Sequence, residues 1–427
     1  MLYAMICRRM VVTAVAIGGS QWAAAGIAVT PLGFGSQSVG MASTDSGYSH
    51  EPTGINNNVA GIAKAGVEQF SVGLEPVYIT KNRHKDSLGN DKRVDSRLTF
   101  LLSGAWTAPL EARPDITVGL GVFAQGGAGF NYESLATDYG NEDDLTAMFG
   151  VFRFAPAFAW RVNERLRLGL AGSVNYAQAE QKLLPNTSDA ATQFFGVKIS
   201  DLSGTSFSWR AGMQYDVSDT LVLGASYGAE TELRLRKGSA VVNFESLGLG
   251  RVRYRDAEIS GLALPEEASL GFAWQVSPRF SLGADINYFW WSEALGEVST
   301  RFRRPDNPLV PAMVEATSQF GGQDNFSRSL GVRFRHNDQN LLYGGINHAG
   351  NVVKQTAVNP LNNLQAKWHI NGGWEHRFSS RLAGAVAVSY IPDKSQRYVN
   401  SAMPLGEESK ETFGLYSVLF ELNYRWQ

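Results

Sequence analysis

Apolar and polar residues alternate along most of the chain after residue 66. The stretch from Arg165 to Tyr176 is the clearest example, because leucine, valine and tyrosine dominate its even positions while arginine, glycine, alanine, serine and asparagine fill its odd positions. Residues 280–290 and 416–426 show the same split. A strand directs successive side chains to opposite faces, so the pattern predicts strands with one apolar face and one small or polar face. The polar face carries little lysine and glutamate, unlike the solvent-facing side of a soluble sandwich.

The connections between these stretches fall into two classes that predict the strand number. Six short polar turns and seven longer connections separate fourteen predicted strands, which places both chain ends on the short-turn side. The short turns are residues 110–115, 163–164, 218–219, 277–278, 337–339 and 379–380. The long connections are near residues 82–92, 132–144, 183–202, 236–265, 293–324, 353–364 and 392–410. An even strand number, short periplasmic turns and long external loops are typical of outer-membrane barrels. We therefore predict an all-β fold, a 14-stranded antiparallel transmembrane β-barrel at residues 67–427, in the bacterial outer membrane with both termini periplasmic.

Composition agrees with a barrel. The chain has 427 residues, 45 glycines, 11% aromatic residues and a mean hydropathy of −0.16, which is polar for a helical membrane protein but ordinary for a barrel whose lumen is polar. Aromatic residues gather at strand ends, where barrels carry their interfacial girdles. The net charge of −2 gives no electrostatic reason to expect nucleic acid.

The first residues are typical of a secretion signal. Arg8 and Arg9 precede an apolar run from Met10 to Ile17, and small residues follow at Ala23 to Ala25. We predict a signal peptide at residues 1–25. The only cysteine, Cys7, lies within it, so the mature chain offers no disulfide and no thiol ligand.

Residues 26–66 do not alternate and are rich in glycine, alanine, serine and asparagine. The segment is too apolar for a solvated linker and too short to form a core of its own. Because a barrel of fourteen strands has room inside, we predict that this segment is a plug in the lumen.

Asn58, Val59, Ala60 and Gly61, which lead into a first strand at Phe70, resemble the hatch motif of the FadL family of outer-membrane transporters. Val59 replaces the proline of that family, which removes one fixed φ angle. Residues 119–123 are similar to the family's third strand, and residues 265–291 match another stretch. The resemblance spans nearly the whole mature chain and implies passive transport of hydrophobic compounds, long-chain fatty acids first among them, past a hatch at residues 26–66.

The family's third strand is kinked and opens the barrel wall sideways. Gly126, Gly127 and Gly129 interrupt the corresponding strand here, and glycine inside a strand often marks a bulge or bend. The alternative is that these glycines only ease barrel curvature. The resemblance therefore predicts a lateral opening at this place.

Four residues are candidate ligand contacts: Phe123, Phe130, Arg153 and Gln178. A fatty acid needs a cationic partner, for which Arg153 and Arg161 have inward parity. Gln178 stands where fatty-acid carriers of the family are expected to have arginine, so a carrier of neutral aromatic or aliphatic hydrocarbons is an alternative. A general diffusion porin is a second.

The histidines show no nucleophile motif and no paired metal spacing, so we predict neither an enzyme nor a metal site nor a cofactor. The expected partners are a hydrophobic small molecule and the surrounding outer-membrane lipid and lipopolysaccharide, with the protein a monomer.

Overall fold

The computed structural model describes residues 26–27, 30–95, 97–362, 367–399 and 403–426. The predicted signal peptide at residues 1–25 lies outside the described residues, as does the last residue, Gln427. Among the described residues, no helix combines the length and apolarity needed to cross a bilayer.

Fourteen antiparallel strands, each paired with its neighbours in sequence, form a barrel that is closed by pairing between the last strand and the first. The strands are β1 Gln69–Asp86, β2 Leu98–Leu110, β3 Arg113–Ala136, β4 Glu142–Arg161, β5 Leu166–Asp189, β6 Phe194–Ser218, β7 Leu221–Gly228 continued by Thr231–Phe244, β8 Gly250–Leu264 continued by Glu267–Gln275, β9 Phe280–Phe289, β10 Asn325–Arg335, β11 Asn340–Ala349, β12 Trp368–Arg377, β13 Leu382–Val399 and β14 Glu408–Arg425. The predicted fold class and strand number are confirmed.

Shorter elements decorate the barrel. Gly26–Ile27 pairs with Thr30–Pro31, Asp91–Arg93 pairs with β1, and Glu297–Pro305 pairs with both β8 and Met313–Gln319 between β9 and β10. The described residues also form two short α-helices, α1 Ser36–Gly40 and α2 Trp291–Ala294, and 3₁₀ turns at Pro52–Ile55, Val59–Lys64, Glu245–Leu247 and Gln355–Ala357.

The alternation in the sequence corresponds to outside and inside. Along β5 the even-numbered Leu168, Leu170, Val174 and Tyr176 are exposed on the outer face, while Arg167 and the other odd positions are mostly buried. The same band of exposed apolar residues runs around the barrel. In a bilayer this band contacts lipid instead of water, and closure of the sheet leaves no unpaired strand edge.

The long connections differ from the prediction, because much of their length is strand. Strands β3 to β8 continue well past the apolar band and are joined by compact turns such as residues 190–193 and 245–249. There the alternation is inverted: Leu233 and Leu235 are buried inward, whereas Arg234 is exposed. Outside the bilayer the outer face of a strand meets water, and its apolar residues are buried within the barrel. The apolar side chains therefore change from the outer to the inner face, and the alternation no longer resembles that of a membrane-spanning strand.

The N-terminal segment, residues 30–66, lies inside the barrel, in the half nearer the short turns. Helix α1 contacts β11 to β14, and the 3₁₀ turn Val59–Lys64 contacts β3 to β6. Inward glycines make room for it: a Cβ on Gly169 would lie 2.5 Å from the backbone nitrogen of Ala60, and one on Gly345 would lie 2.4 Å from the Met41 carbonyl carbon. The segment therefore packs against the wall on opposite sides at close range.

Candidate functional site

The pairing between β2 and β3 stops partway along the two strands. Ladder pairs run from Leu110 and Arg113 to Ser103 and Phe123, and the next hydrogen bond joins the Asp95 nitrogen to the Asn131 oxygen at 3.1 Å. Between these points the described residues form no β2–β3 ladder pair. On the other side of β2, residues 98–107 pair without a break with β1. The barrel wall is thus open along one seam.

A bulge in β3 lies beside this opening. On the β4 side, Ala124 pairs with Phe152 and Gly126 pairs with Val151, so Gln125 is an extra residue in the ladder. One extra residue bends a strand and reverses which face its later side chains occupy. Accordingly Phe123 faces inward before the bulge, and the even-numbered Phe130 and Tyr132 are buried after it.

A cavity of about 700 Å³ passes through the open seam. Its lining includes buried side chains of the barrel interior, such as Ile79, Phe149 and Leu415. The same cavity is lined by Leu98 and Phe100, which lie on the outer surface and are 51% and 56% exposed. A cavity bounded by residues of both faces connects the interior with the membrane-facing surface.

Gly126, Gly127 and Gly129 all line this cavity. A Cβ on Gly127 would lie 2.8 Å from the Phe149 carbonyl oxygen, so only glycine fits without a shift of β4. A Cβ on Gly129 would meet nothing closer than Met148 Cγ at 4.0 Å, and one on Gly150 would have open space. The missing side chains at positions 129 and 150 therefore leave the passage unfilled.

Two of the predicted ligand contacts do not line the cavity. Phe123 is fully buried and packs edge-on against Phe34 of the N-terminal segment, with ring centroids 5.1 Å apart. Phe130 is fully buried in the apolar cluster that fills the half of the barrel remote from the short turns. Both rings therefore pack within the barrel interior beside the opening.

Arg153 is buried, and each of its three guanidinium nitrogens donates a hydrogen bond. Nε donates to Asn175 at 2.8 Å, Nη1 donates to Asn56 at 2.8 Å and Nη2 donates to Thr231 at 3.2 Å. It joins β4, β5 and β7 to the N-terminal segment and does not line the cavity. Arg161 is exposed at the short-turn end of β4.

Gln178 does line the cavity, but from the outer face of β5. Its amide donates to the Tyr176 hydroxyl at 2.9 Å. The structure therefore places this residue at the membrane-facing mouth of the passage, not in the lumen.

The residues of the predicted hatch motif lie together inside the barrel. Asn58 caps the turn Val59–Lys64 by accepting from the Ala60 nitrogen at 3.2 Å, and its amide donates to the carbonyls of Ser46 and Met213 at 2.8 and 3.1 Å. A Cβ on Gly61 would collide with the Ser49 backbone. This tight turn fixes the N-terminal segment against β6.

Further wall residues hold the segment, and the sequence did not single them out. Asp285 on β9 accepts from the nitrogens of Asp45 and Ser46, both at 2.8 Å. Glu421 on β14 accepts from the Ser36 nitrogen at 2.7 Å, and Asn371 on β12 donates to the Val39 carbonyl at 2.6 Å. Inward carboxylates on otherwise apolar strands are the only sequence signal for such anchors.

The family model described as "Outer membrane protein transport protein (OMPP1/FadL/TodX)" matches residues 15–396. The chain belongs to this family. A search of curated proteins finds no match.

Solved structures of the FadL family share the fold. The Pseudomonas putida toluene transporter TodX has a TM-score of 0.77 at 18% identity, with 93% of this chain and 99% of that chain covered. The Ralstonia pickettii toluene transporter TbuX has a TM-score of 0.74 at 18% identity over 93% and 99% of the two chains. A Pseudomonas aeruginosa FadL homologue has a TM-score of 0.69 at 14% identity over 96% and 99%. At these identities the likeness shows the fold.

Within the FadL family, the departure at Val59 has a local explanation. Val59 is the first residue of a 3₁₀ turn, where proline is favoured because the position needs no backbone donor. The Asn58 cap and the contacts with Gly169 and Gly212 hold this turn with valine at its first position.

Proposed function

We propose that this protein moves small hydrophobic compounds across the outer membrane by passive diffusion, and that they leave sideways between β2 and β3. In this proposal the short turns and both termini are periplasmic, the N-terminal segment acts as the hatch, and the protein performs no chemistry on its cargo. Membership of a family of outer-membrane transport proteins supports the role.

The passage through the wall is the observation on which the proposal rests. It is lined largely by apolar side chains, with Ile79, Phe149 and Leu415 inside and Leu98, Phe100 and Phe152 outside. An apolar cavity of roughly 150 Å³ is enough to bind benzene, so about 700 Å³ accommodates a larger molecule or several small ones.

A lateral route has a clear energetic advantage for such a cargo. Each CH₂ group that returns to water costs about 0.8 kcal/mol, so passing through an aqueous periplasm raises the barrier with every carbon. Leu98, Phe100 and Leu102 stand exposed along the open seam, which provides an apolar surface from the interior to the bilayer.

The charges near the cavity favour a neutral hydrocarbon over a fatty acid. Arg153, the inward cation expected to meet a carboxylate, is bound by Asn175, Asn56 and Thr231. Among the described residues that line the cavity, Arg97 is the one cation and is exposed, and the lining also carries Glu180 and Asp201, which repel a carboxylate. Long-chain fatty acids, the expectation from the family resemblance, are the second candidate, with Arg97 as the partner of the carboxylate.

The N-terminal segment argues against a general diffusion porin. It contacts strands on opposite sides of the barrel, and the polar cavity between it and the wall beside Asp45, Arg210 and Asp285 has a volume of about 60 Å³. Free diffusion of hydrophilic solutes through the barrel needs a wider path than this cavity.

The proposal is tested by the uptake of labelled toluene and labelled oleate into cells that lack the chromosomal gene and express either the natural protein or a variant. The variant G129V/G150V fills the passage at two positions with free space, whereas G172V adds the same side chain on the outer face of β5, also in open space but away from the cavity. We expect G129V/G150V to lower toluene uptake about tenfold or more, because the cargo loses its route around water, and G172V to match the natural protein.

Normal toluene uptake by folded G129V/G150V protein would refute the lateral exit. Oleate uptake that exceeds toluene uptake and falls with Arg97→Gln would assign the cargo as a fatty acid instead. Heat-modifiable migration on gels shows that each variant has folded.

A further inference from the structure

The polar cavity between the N-terminal segment and the barrel wall, of about 60 Å³, is lined by oxygen-bearing side chains from both. The segment contributes Asp45 and Ser46, and the wall contributes Arg210 on β6, Glu267 on β8 and Asp285 on β9. The other polar residues of the lining carry hydroxyl or amide oxygens: Thr30, Ser43, Asn56, Asn57, Gln125, Ser226, Ser269 and Asn287. We call this space the interface cavity.

Two carboxylates of the interface cavity lack a cationic partner. Among the described residues of the lining, Arg210 is the one cation, and it forms an ion pair with Glu267. Asp285 lies directly beside Asp45, because its Oδ2 accepts from the Asp45 nitrogen at 2.8 Å. Within the described chain neither of these two acids forms an ion pair. Like charges side by side in a protein interior need a counter-charge, so the site calls for a positive ion.

Two oxygens of the same residues have no hydrogen-bond partner in the part of the chain that the structure describes. They are Asp285 Oδ1 and Ser46 Oγ, in residues that are 3% and 1% exposed. The Ser46 nitrogen donates to Asp285 Oδ2 at 2.8 Å, so the two oxygens lie close together. A buried polar atom without a partner is costly. Such oxygens beside two carboxylates indicate a ligand that accepts electron pairs.

A calcium ion has this chemistry, because it takes about six to eight oxygen ligands from carboxylates, carbonyl groups and water in flexible geometry. We propose that the interface cavity binds a calcium ion, with Asp45 and Asp285 as its charged ligands and Ser46 Oγ beside them. The charge of the ion matches that of the two carboxylates. A water molecule needs about 10–15 Å³ of such volume, so the cavity has room for the ion and a few waters.

The proposed ion joins the N-terminal segment to β9. No three carboxylate, histidine or cysteine side chains meet as metal ligands among the described residues, so neutral oxygens of the lining and water complete the coordination. The sequence predicted no metal site and could not reveal this one, because Asp45 and Asp285 are 240 positions apart. The inference does not depend on the cargo or on the lateral exit.

Calorimetric titration of the purified protein with calcium, in detergent and after treatment with EDTA, tests the inference. The variant D45N removes one charge from the interface cavity but keeps the size of the side chain and the backbone donor to Asp285. D143N is the matched control, because Asp143 is also a buried aspartate but lies outside the cavity and accepts from Asn186 and Thr187. We expect saturable binding by the natural protein and by D143N. We expect D45N to bind calcium about tenfold or more weakly, because a charged ligand is lost.

A second variant, S46A, deletes the hydroxyl without a change of charge and keeps the test decisive if D45N does not fold. We expect S46A to weaken calcium binding severalfold. Absence of saturable calcium binding by the folded natural protein would overturn the inference, as would equal affinities of the natural protein, D45N and S46A. Tighter binding of magnesium than of calcium would overturn the assignment to calcium. Heat-modifiable migration on gels reports folding, and the variants retain every residue of the passage, so a failure here leaves the transport proposal untouched.

Discussion

At the scale of single residues, the extension of the barrel beyond the bilayer is held by a buried histidine. His84 follows the apolar band of β1, and its ring lies between Glu411 at 2.6 Å and Asp86 at 3.0 Å. The Tyr398 hydroxyl donates to the same Glu411 oxygen that His84 contacts, at 3.0 Å. Burial alone would lower the pKa of His84, but the two carboxylates outweigh burial and raise this pKa to about 9.

This shift predicts how stability depends on pH. A histidine whose pKa is higher in the folded protein contributes its full stabilisation below its unfolded pKa of 6.5 and loses it as the pH rises through about 9. We expect the free energy of unfolding to fall by on the order of 3 kcal/mol between pH 6.5 and pH 10 through His84 alone. Urea unfolding in detergent at both pH values measures it.

The variant H84Q is the control for the other groups that titrate in this range. It keeps a polar side chain but no titrating charge, so the difference between the two proteins isolates the contribution of His84. A pH dependence that is the same in both proteins would contradict the assignment.

At the scale of elements, the extra residue Gln125 accounts for the opening. It shifts the β3–β4 register between Ala124 and Gly126, and β2 loses its pairing with β3 just beyond Phe123. Because the inward side chains of β3 change from odd to even positions at this bulge, removal of one residue restores a regular alternation along the whole strand.

Deletion of Gln125 is therefore predicted to close the seam. A regular β3 can continue its ladder with β2 past Ser103, which covers the passage with backbone while leaving the barrel complete. We expect toluene uptake to fall about tenfold or more, since the cargo then has to cross water, with resistance to urea equal to or above that of the natural protein.

The variant Q125A serves as the comparison, because it keeps the bulge and removes only the hydrogen bond that Asn56 donates to Gln125 at 2.7 Å. Full uptake by the folded deletion variant would show that the bulge does not control the opening.

The sequence predicted the membrane-crossing strands well and the opening only in part. Alternation identifies strands such as β5 because each outer side chain meets lipid. Alternation could not reveal which strand pairings are absent, because residues 98–102 have the sequence of an apolar strand whether or not they pair with β3. Arg153 could not be excluded as a ligand contact from sequence, because its partner Asn56 is 97 positions away and belongs to a different element.

At the scale of the whole molecule, the N-terminal segment and the barrel wall are complementary. Wall glycines such as Gly169, Gly212 and Gly224 lie where a Cβ would strike the segment's backbone. Polar anchors on widely spaced strands, Asp285 on β9 and Glu421 on β14, accept hydrogen bonds from its amides. A barrel that carries such a wall without the segment would have a wide interior lined by small and polar residues.

Removal of the N-terminal segment is therefore predicted to turn the barrel into an open channel. We expect the natural protein to show no steady conductance in planar bilayers and a variant lacking residues 26–66 to show long-lived open levels, because a barrel of fourteen strands without a plug approaches the width of a porin. The double variant D285A/E421A keeps the segment but removes its anchors on β9 and β14, so we expect brief openings. D285N/E421Q retains an acceptor at each site and should stay closed. Equal conductance of the natural and the shortened protein would show that the segment does not plug the barrel and would favour a general diffusion porin.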